Sequence, residues 1–164
     1  MKVVNTQHLH GTERAVRFNG GVSLRAFLEE DGLGFAIMKT IIPKGGPYKW
    51  HYKHHLESCY CISGFATLKD IKTGVKYDIL PGVVYALDNH DPHEFEALED
   101  TVLISVFNPP LVGTESHDKD GVYQTESSLS RYHKSKDIAE KILNCKNVYD
   151  AAEMVDNIIL RNKI

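Results

Sequence analysis

The chain has 164 residues, of which 42% are hydrophobic and 25% charged, the ordinary balance of a soluble globular protein. Its formal net charge of −3 gives no electrostatic reason to expect a nucleic acid or an anionic membrane as a partner. No apolar run approaches the roughly 20 residues of a membrane-spanning helix, and we expect no signal peptide. The three cysteines cannot form a complete disulfide framework, which favours a cytoplasmic location.

Short apolar or alternating runs separated by Gly and Pro fill the chain from residue 1 to about residue 111, and they predict strands joined by turns. In chain order the predicted strands include 22–28, 34–42, 58–62, 65–68 and 101–107. The turn signals include Asp31-Gly32, Pro43-Lys44-Gly45-Gly46, Lys72-Thr73-Gly74 and Pro81-Gly82. Nothing between the strands is predicted as a helix of three turns. The pattern predicts an all-β sandwich, jelly roll or barrel.

The C-terminal part has a different pattern, with apolar residues at spacings of three and four that predict two helices. Ser135 is expected to cap the first helix, and residues 144–147 are expected to separate the two. We therefore divide the chain into a barrel domain, 1–125, and a short helical C-terminal extension, 126–164. The extension is interpreted as a lid or a dimer brace packed on the barrel, and a partner-binding helix is the alternative.

Histidines are concentrated around one glutamate, since His51, His54 and His55 precede Glu57 closely and a second histidine pair lies at positions 90 and 93. Imidazole and carboxylate are the usual ligands of a catalytic transition metal, and open sites use about three protein ligands. A carboxylate in the apolar stretch around Glu57 would be costly to bury without a cation. If residues 51–61 are extended, His51, Lys53, His55, Glu57, Cys59 and Cys61 share one face.

Glu57, Tyr85 and His93 could therefore converge inside a barrel. Two of them also have a simpler explanation, Tyr85 as a core aromatic and His93 as a surface residue in a turn, whereas Glu57 is the exception. The spacing of the residues around them resembles the two motifs of the cupin family. The positions concerned are Gly46, His51, Lys53, Glu57, Gly64, Pro81, Gly82 and Tyr85. Lys53 and Tyr85 stand where those motifs have histidines. The resemblance implies a single cupin (jelly-roll) barrel.

From about residue 3 to residue 123 the chain more closely resembles the ectoine synthase family of small iron-dependent cupins. The stretches that carry this resemblance are Gly11-Thr12-Glu13-Arg14, His51-Tyr52-Lys53-His54-His55 with Glu57, Cys59-Tyr60-Cys61, Tyr85-Ala86-Leu87-Asp88 with His90-Asp91 and His93, Val106-Phe107-Asn108-Pro109-Pro110-Leu111 with Gly113 and Glu115, His117-Asp118, and Asp120-Gly121-Val122-Tyr123. Their order and spacing together are highly specific.

The resemblance implies an Fe(II) site of Glu57, Tyr85 and His93, although other divalent metals are possible. It implies a hydro-lyase of compatible-solute synthesis under osmotic stress, which condenses N-γ-acetyl-L-2,4-diaminobutyrate to ectoine with loss of water. A homodimer is also implied. The candidates for proton transfer are Tyr52, Glu115 and His117. For Glu115 and His117 the alternative is that they lie in a solvated polar loop without a catalytic role. The residues that match substrate contacts are Ser23, Arg25, Thr40 and Phe107.

Four positions depart from the family pattern: Gly21 replaces a tryptophan, Ala36 a small polar residue, Met38 an asparagine and Ser105 a cysteine. They are interpreted as substrate wall rather than metal ligands, so the resemblance supports the metal site better than it supports the identity of the substrate. Two alternatives to ectoine synthesis therefore stay open. One is a related enzyme that cyclises or hydrolyses another amide or amidine, and the other is a non-catalytic cupin that binds a small solute.

Overall fold

A computed structural model describes residues 1–113, 115–118, 120–123 and 138–161. The chain forms two compact units, Met1–Thr125 and Glu126–Ile164, which are described separately. The strands of the first unit are β1 (Ala15–Phe18), β2 (Gly21–Phe27), β3 (Ala36–Ile42), β4 (Gly45–Trp50), β5 (Leu56–Ser63), β6 (Ala66–Asp70), β7 (Lys76–Ile79), β8 (Val84–Leu87), β9 (His93–Ala97) and β10 (Thr101–Asn108). Short 3-10 helices lie at Thr6–Leu9 and Glu29–Asp31.

The strands form two antiparallel sheets, one in the order β1-β2-β3-β10-β5-β8 and the other in the order β4-β9-β6-β7. Buried and less buried residues alternate along β9 and β10, as expected when one face of each sheet covers a core. The core lies between the inner faces of the sheets and includes Leu103, Phe107 and Phe95. The prediction of an all-β jelly-roll barrel is confirmed.

One row of cross-strand neighbours crosses the inner face of the six-stranded sheet. In register, Arg25 pairs with Met38, Met38 with Ser105, Ser105 with Cys59, and Cys59 with Tyr85. Neighbouring strands lie about 4.8 Å apart, so this row spans roughly 19 Å. It contains two of the positions that depart from the family pattern, Met38 and Ser105.

The region between β4 and β5 differs from the sequence expectation. Strand β4 ends at Trp50, a turn occupies residues 53–54, and β5 begins at Leu56. The prediction that the alternate residues from His51 to Cys61 share one face is therefore wrong at its start, where Lys53 is exposed. Alternation holds only within β5, where Glu57, Cys59 and Cys61 are buried on the inner face.

After β10, the described residues 111–113, 115–118 and 120–123 lie across the end of β4 and are here called the closing segment. Val122 forms an isolated parallel bridge with His51, and the His51 N–H donates to the Gly121 carbonyl at 2.8 Å. Gly121 has a φ of +76°, and a Cβ built on it would lie 2.0 Å from the Lys49 carbonyl oxygen. Glycine is therefore required at this contact.

In the second unit, residues 138–143 are helical (α1), and α2 spans Val148–Arg161. The Asn147 side chain accepts hydrogen bonds from the N–H groups of Tyr149 and Asp150, which starts α2. Residues 144–147 separate the helices, as predicted, whereas the expected cap at Ser135 lies outside the described residues. Among the described residues, no helix is long and apolar enough to span a bilayer. That 1–125 folds as an independent domain stays a prediction.

Candidate functional site

A small cavity lies in the first unit, beside the inner face of the six-stranded sheet. Its walls combine aromatic rings with a few polar groups. The lining residues are Phe18, Ser23, Met38, Thr40, Ile42, Trp50, Tyr52, Glu57, Tyr85, Leu103, Ser105, Phe107, His117 and Tyr123. Seven of the residues predicted for the site thus lie on one cavity: Ser23, Thr40, Tyr52, Glu57, Tyr85, Phe107 and His117.

Glu57 is a buried carboxylate, and no salt bridge to it occurs among the described residues. Burial raises the pKa of Glu57 from its usual 4.5 to about 7, against the opposing effect of hydrogen bonds from Cys59 and Ser105. Desolvation of the charged form causes this shift. The side chain is therefore half-protonated near neutral pH unless a cation compensates its charge.

His93 and Tyr85 are the other two predicted metal ligands. The Nδ1–H of His93 donates to the Asp91 carbonyl at 2.9 Å, which leaves the Nε2 lone pair available. Burial lowers the pKa of His93 to about 4 and raises the pKa of the Tyr85 hydroxyl well above its usual range. A neutral imidazole is the form that binds metals.

The three predicted metal ligands do not all line the same space. Glu57 and Tyr85 line the cavity, whereas Tyr85 and His93 line a wider groove beside β7 and β8. His93 meets the cavity wall through the rings of Trp50 and Tyr52, with centroids 6.1 and 5.8 Å away. Tyr85 is therefore the residue shared by the two spaces.

A divalent metal fits the chemistry of these groups. Among the described residues no three His, Cys, Asp or Glu side chains cluster as a metal site, and the predicted set has two such residues plus a phenol. Its carboxylate lacks a counter-ion, and its imidazole is held in the metal-binding tautomer. Carboxylate, phenolate and imidazole are donors that divalent transition metals accept. That Glu57, Tyr85 and His93 bind one metal stays a prediction.

Tyr52 and His117 form a second polar pair on the cavity wall. The His117 Nε2 lies 3.2 Å from the Tyr52 hydroxyl oxygen. Burial lowers the pKa of His117 to about 3 and raises the pKa of Tyr52 well above its usual range, so both groups are neutral at pH 7. The buried Nδ1 of His117 has no hydrogen-bond partner among the described residues.

Glu115 and Arg25 are partners of each other and are absent from the described residues that line the cavity. Each is 1% exposed; the Arg25 Nη1 lies 3.4 Å from the Glu115 carboxylate, and its Nη2 donates to the Glu115 carbonyl at 2.5 Å. The same carboxylate accepts N–H bonds from Val112 and Gly113 at 2.7 and 2.8 Å. The alternative of a solvated polar loop around Glu115 is wrong, because these contacts bury it.

Three hydroxyl or thiol groups contact one another on the six-stranded sheet. The Thr40 Oγ1 lies 3.0 Å from the Ser105 Oγ, which lies 3.2 Å from the Cys59 Sγ. The Ser23 Oγ is buried without a hydrogen-bond partner among the described residues, so it is available to a ligand. The His55 Nδ1 lies 2.8 Å from the Pro109 carbonyl oxygen.

Sequence reasoning missed three aromatic residues of the cavity wall, Phe18, Trp50 and Tyr123. Trp50 precedes the histidine-rich stretch, and Tyr123 ends a stretch that carries the family resemblance, so position alone could have suggested both. For Phe18 no local signal exists, because β1 reaches the cavity only through its pairing with β2.

A small two-sheet jelly roll with polar chemistry on the inner face of its barrel defines this protein as a cupin. A family model described as ectoine synthase matches residues 1–127. L-ectoine synthase of Bordetella petrii is 47% identical over 124 residues, 75% of this chain and 93% of that protein. The Alkalilimnicola ehrlichii L-ectoine synthase is 44% identical over 75% of this chain and 94% of its own length.

The crystal structure of ectoine synthase from P. lautus is similar with a TM-score of 0.66 at 36% identity, covering 69% of this chain and 81% of that one. The chain belongs to the ectoine synthase family. The match ends at residue 127, so the helices α1 and α2 lie beyond it.

Proposed function

We propose that this chain is a metal-dependent hydro-lyase that converts N-γ-acetyl-L-2,4-diaminobutyrate to ectoine. One observation carries the proposal: the family match over residues 1–127 includes every described residue that lines the buried cavity. A match to the barrel alone would support only the fold, since cupin barrels serve many functions.

The reaction sets clear demands on the site. The α-amine attacks the carbonyl carbon of the acetamide and closes a six-membered ring by a new C–N bond. The former carbonyl oxygen then leaves as water, and both protons of that water come from the attacking nitrogen. The site must therefore polarise the carbonyl, accept a proton from the amine and return protons to the leaving oxygen.

In this proposal Glu57, Tyr85 and His93 hold an Fe(II) ion. When bound, such an ion supplies Lewis acidity that polarises a carbonyl oxygen. Support comes from the uncompensated Glu57 carboxylate and from the free Nε2 of His93. Alanine at any of the three positions should lower the iron content, and undiminished iron would contradict that ligand.

Tyr52 and His117 carry out proton transfer in this proposal. The neutral imidazole accepts a proton from the attacking amine, and the adjacent hydroxyl, 3.2 Å away, passes one toward the leaving oxygen. The hydroxyls of Ser23 and Thr40 face the cavity and bind the polar end of the substrate, and Phe107 forms the apolar wall. Glu115 holds Arg25 in this scheme, because its carboxylate is already engaged.

A related amide is the second candidate substrate, and it is favoured by Met38. This side chain is buried in the cavity wall, in register between Arg25 and Ser105, where an apolar thioether cannot bind a charged group. Gly21, another altered position, has no side chain that could bind such a group, and a Cβ there would lie 2.2 Å from the Ile41 carbonyl oxygen.

The test is to incubate the purified, Fe(II)-loaded protein with N-γ-acetyl-L-2,4-diaminobutyrate and to follow ectoine by NMR. The N-α-acetyl isomer serves as the control substrate, and Glu57→Gln as the control protein. Ectoine from the wild type alone supports the proposal. Turnover of other amides without ectoine favours the related enzyme, and tight binding without turnover favours a solute-binding protein.

The proposal extends to a cytoplasmic homodimer whose C-terminal helices are not needed for iron binding. A monomeric mass by light scattering at micromolar concentration would contradict the dimer. Removal of residues 130–164 is expected to leave the iron content unchanged in a protein that still folds.

A further inference from the structure

Trp50 is the only tryptophan of the chain, and its indole lies against the imidazole of His117. The two ring centroids are 5.4 Å apart and the ring planes differ by 20°. The indole is itself fixed, because its Nε1–H donates to the Asn19 carbonyl at 3.2 Å and the Tyr48 ring stacks on it at 5.7 Å. Trp50 thus presents His117 with a rigid, nearly parallel surface.

Hydrogen bonds hold the His117 ring at one atom only. Its Nε2 lies 3.2 Å from the Tyr52 hydroxyl, while its Nδ1 has no hydrogen-bond partner among the described residues. One hydrogen bond does not fix the plane of the ring. The rings of Tyr123, Phe18 and Tyr52 also contact it, at 4.5, 5.5 and 5.5 Å, but they are tilted by 51°, 57° and 46°. The near-parallel contact with Trp50 therefore restricts the rotation most directly.

We infer that Trp50 is a positioning residue for His117 and keeps the imidazole aligned between the Tyr52 hydroxyl and the cavity. The inference rests on the proposed function, since it takes His117 as a proton-transfer group. Such a group must lie within about 2.6–3.2 Å of the atom it serves, and small misplacements lower the rate strongly. Because Trp50 acts through His117, its loss changes kcat rather than KM.

Two substitutions separate the aromatic surface from simple bulk. Trp50→Leu should lower kcat about 10-fold, equivalent to about 1.4 kcal/mol, with KM and iron content unchanged. Trp50→Phe keeps a stacking face and should recover most of kcat. Tyr60→Leu is the control for loss of an aromatic ring elsewhere, because Tyr60 is 48% exposed and alternates on β5 with the buried Cys59 and Cys61, so kcat should stay at the wild-type value.

A double-mutant cycle distinguishes positioning from a general structural effect. In a His117→Ala background, Trp50→Leu should cause no further loss of kcat, because residues that act as a unit are not additive. Additive losses, or a raised KM with unchanged kcat, would overturn the inference. Iron content is measured for each variant, because Trp50 also pairs with His93 across β4 and β9.

Emission from the single tryptophan tests the contact independently of turnover. His117→Ala removes the ring that covers the indole on the cavity side, so the Trp50 emission should shift to longer wavelength at constant metal content. An unchanged spectrum would overturn the contact, even if Trp50→Leu failed to fold. A wild type that forms no ectoine would refute the proposed function, and the emission shift would still decide whether indole and imidazole touch.

Discussion

Glu115→Ala is expected to lower the free energy of unfolding by several kcal/mol, because this buried carboxylate has three partners. It accepts N–H bonds from Val112 and Gly113, and it pairs with the Arg25 guanidinium. The hydrogen bond from Arg25 to the main-chain carbonyl of Glu115 does not depend on the side chain. Removal of one partner of a buried ion pair costs about 3–5 kcal/mol. The two backbone N–H groups would each lose an acceptor, at about 1–3 kcal/mol if they stay buried.

These contributions overlap, so we expect a total loss of about 3–5 kcal/mol rather than their sum. Glu115→Gln keeps an oxygen for one backbone N–H but loses the charge, and it should fall between alanine and the wild type. Urea unfolding followed by circular dichroism measures the difference. Glu94→Ala is the control, since Glu94 pairs with Lys69 at 3.1 Å near the surface, where ion pairs contribute little. A Glu115→Ala protein within about 1 kcal/mol of the wild type would refute the reasoning.

Glu57, with a pKa of about 7 in the folded state against a usual 4.5, binds its proton more tightly when folded. The proton on Glu57 therefore stabilises the metal-free folded protein fully below about pH 4.5, and this stabilisation is lost as the pH rises through 7. Over this range the free energy of unfolding of the wild type, measured with urea, should fall by about 3 kcal/mol relative to that of Glu57→Gln. Gly121→Ala should destabilise the protein by more than about 1 kcal/mol in thermal or urea unfolding, from its positive φ alone, and an unchanged midpoint would contradict the close contact with Lys49. His117→Ala should lower turnover by about 10²–10⁴-fold with normal iron content, whereas loss of iron together with activity would mean that the ligands are misassigned.

Alternating apolar residues and Gly/Pro turns were sufficient to predict most of the barrel. The predicted strand 101–107 corresponds to β10, and 34–42 contains β3. The start of β4 was predicted as a turn because Gly45 and Gly46 favour one, but pairing with β9 makes it a strand. Tertiary pairing can override a local preference of this kind.

The site shows the same division between local and long-range information. Glu57 was identified from its own stretch, since a carboxylate in an apolar strand is unusual. The partnership of Arg25 with Glu115, 90 residues away, has no local signal, and neither has the pairing of Tyr52 with His117 over 65 residues. Glu115 was therefore identified only through the family resemblance, with a solvated polar loop as the alternative, and the structure buries it.

The two sides of the cavity are held by different backbone contacts. This difference explains why Glu115, which does not line the cavity, affects residues that do. Glu57 and Tyr85 lie on β5 and β8, whose pairing is continuous with β10 and β3. His117 and Tyr123 lie on the closing segment, whose described residues are joined to the end of β4 by one isolated bridge, between Val122 and His51. Segments with few ladder hydrogen bonds open at a lower free energy than paired strands. The buried contacts of Glu115 compensate for this, because they anchor the closing segment to Arg25 on β2. Stability of the closing segment and alignment of His117 therefore depend on the same few residues.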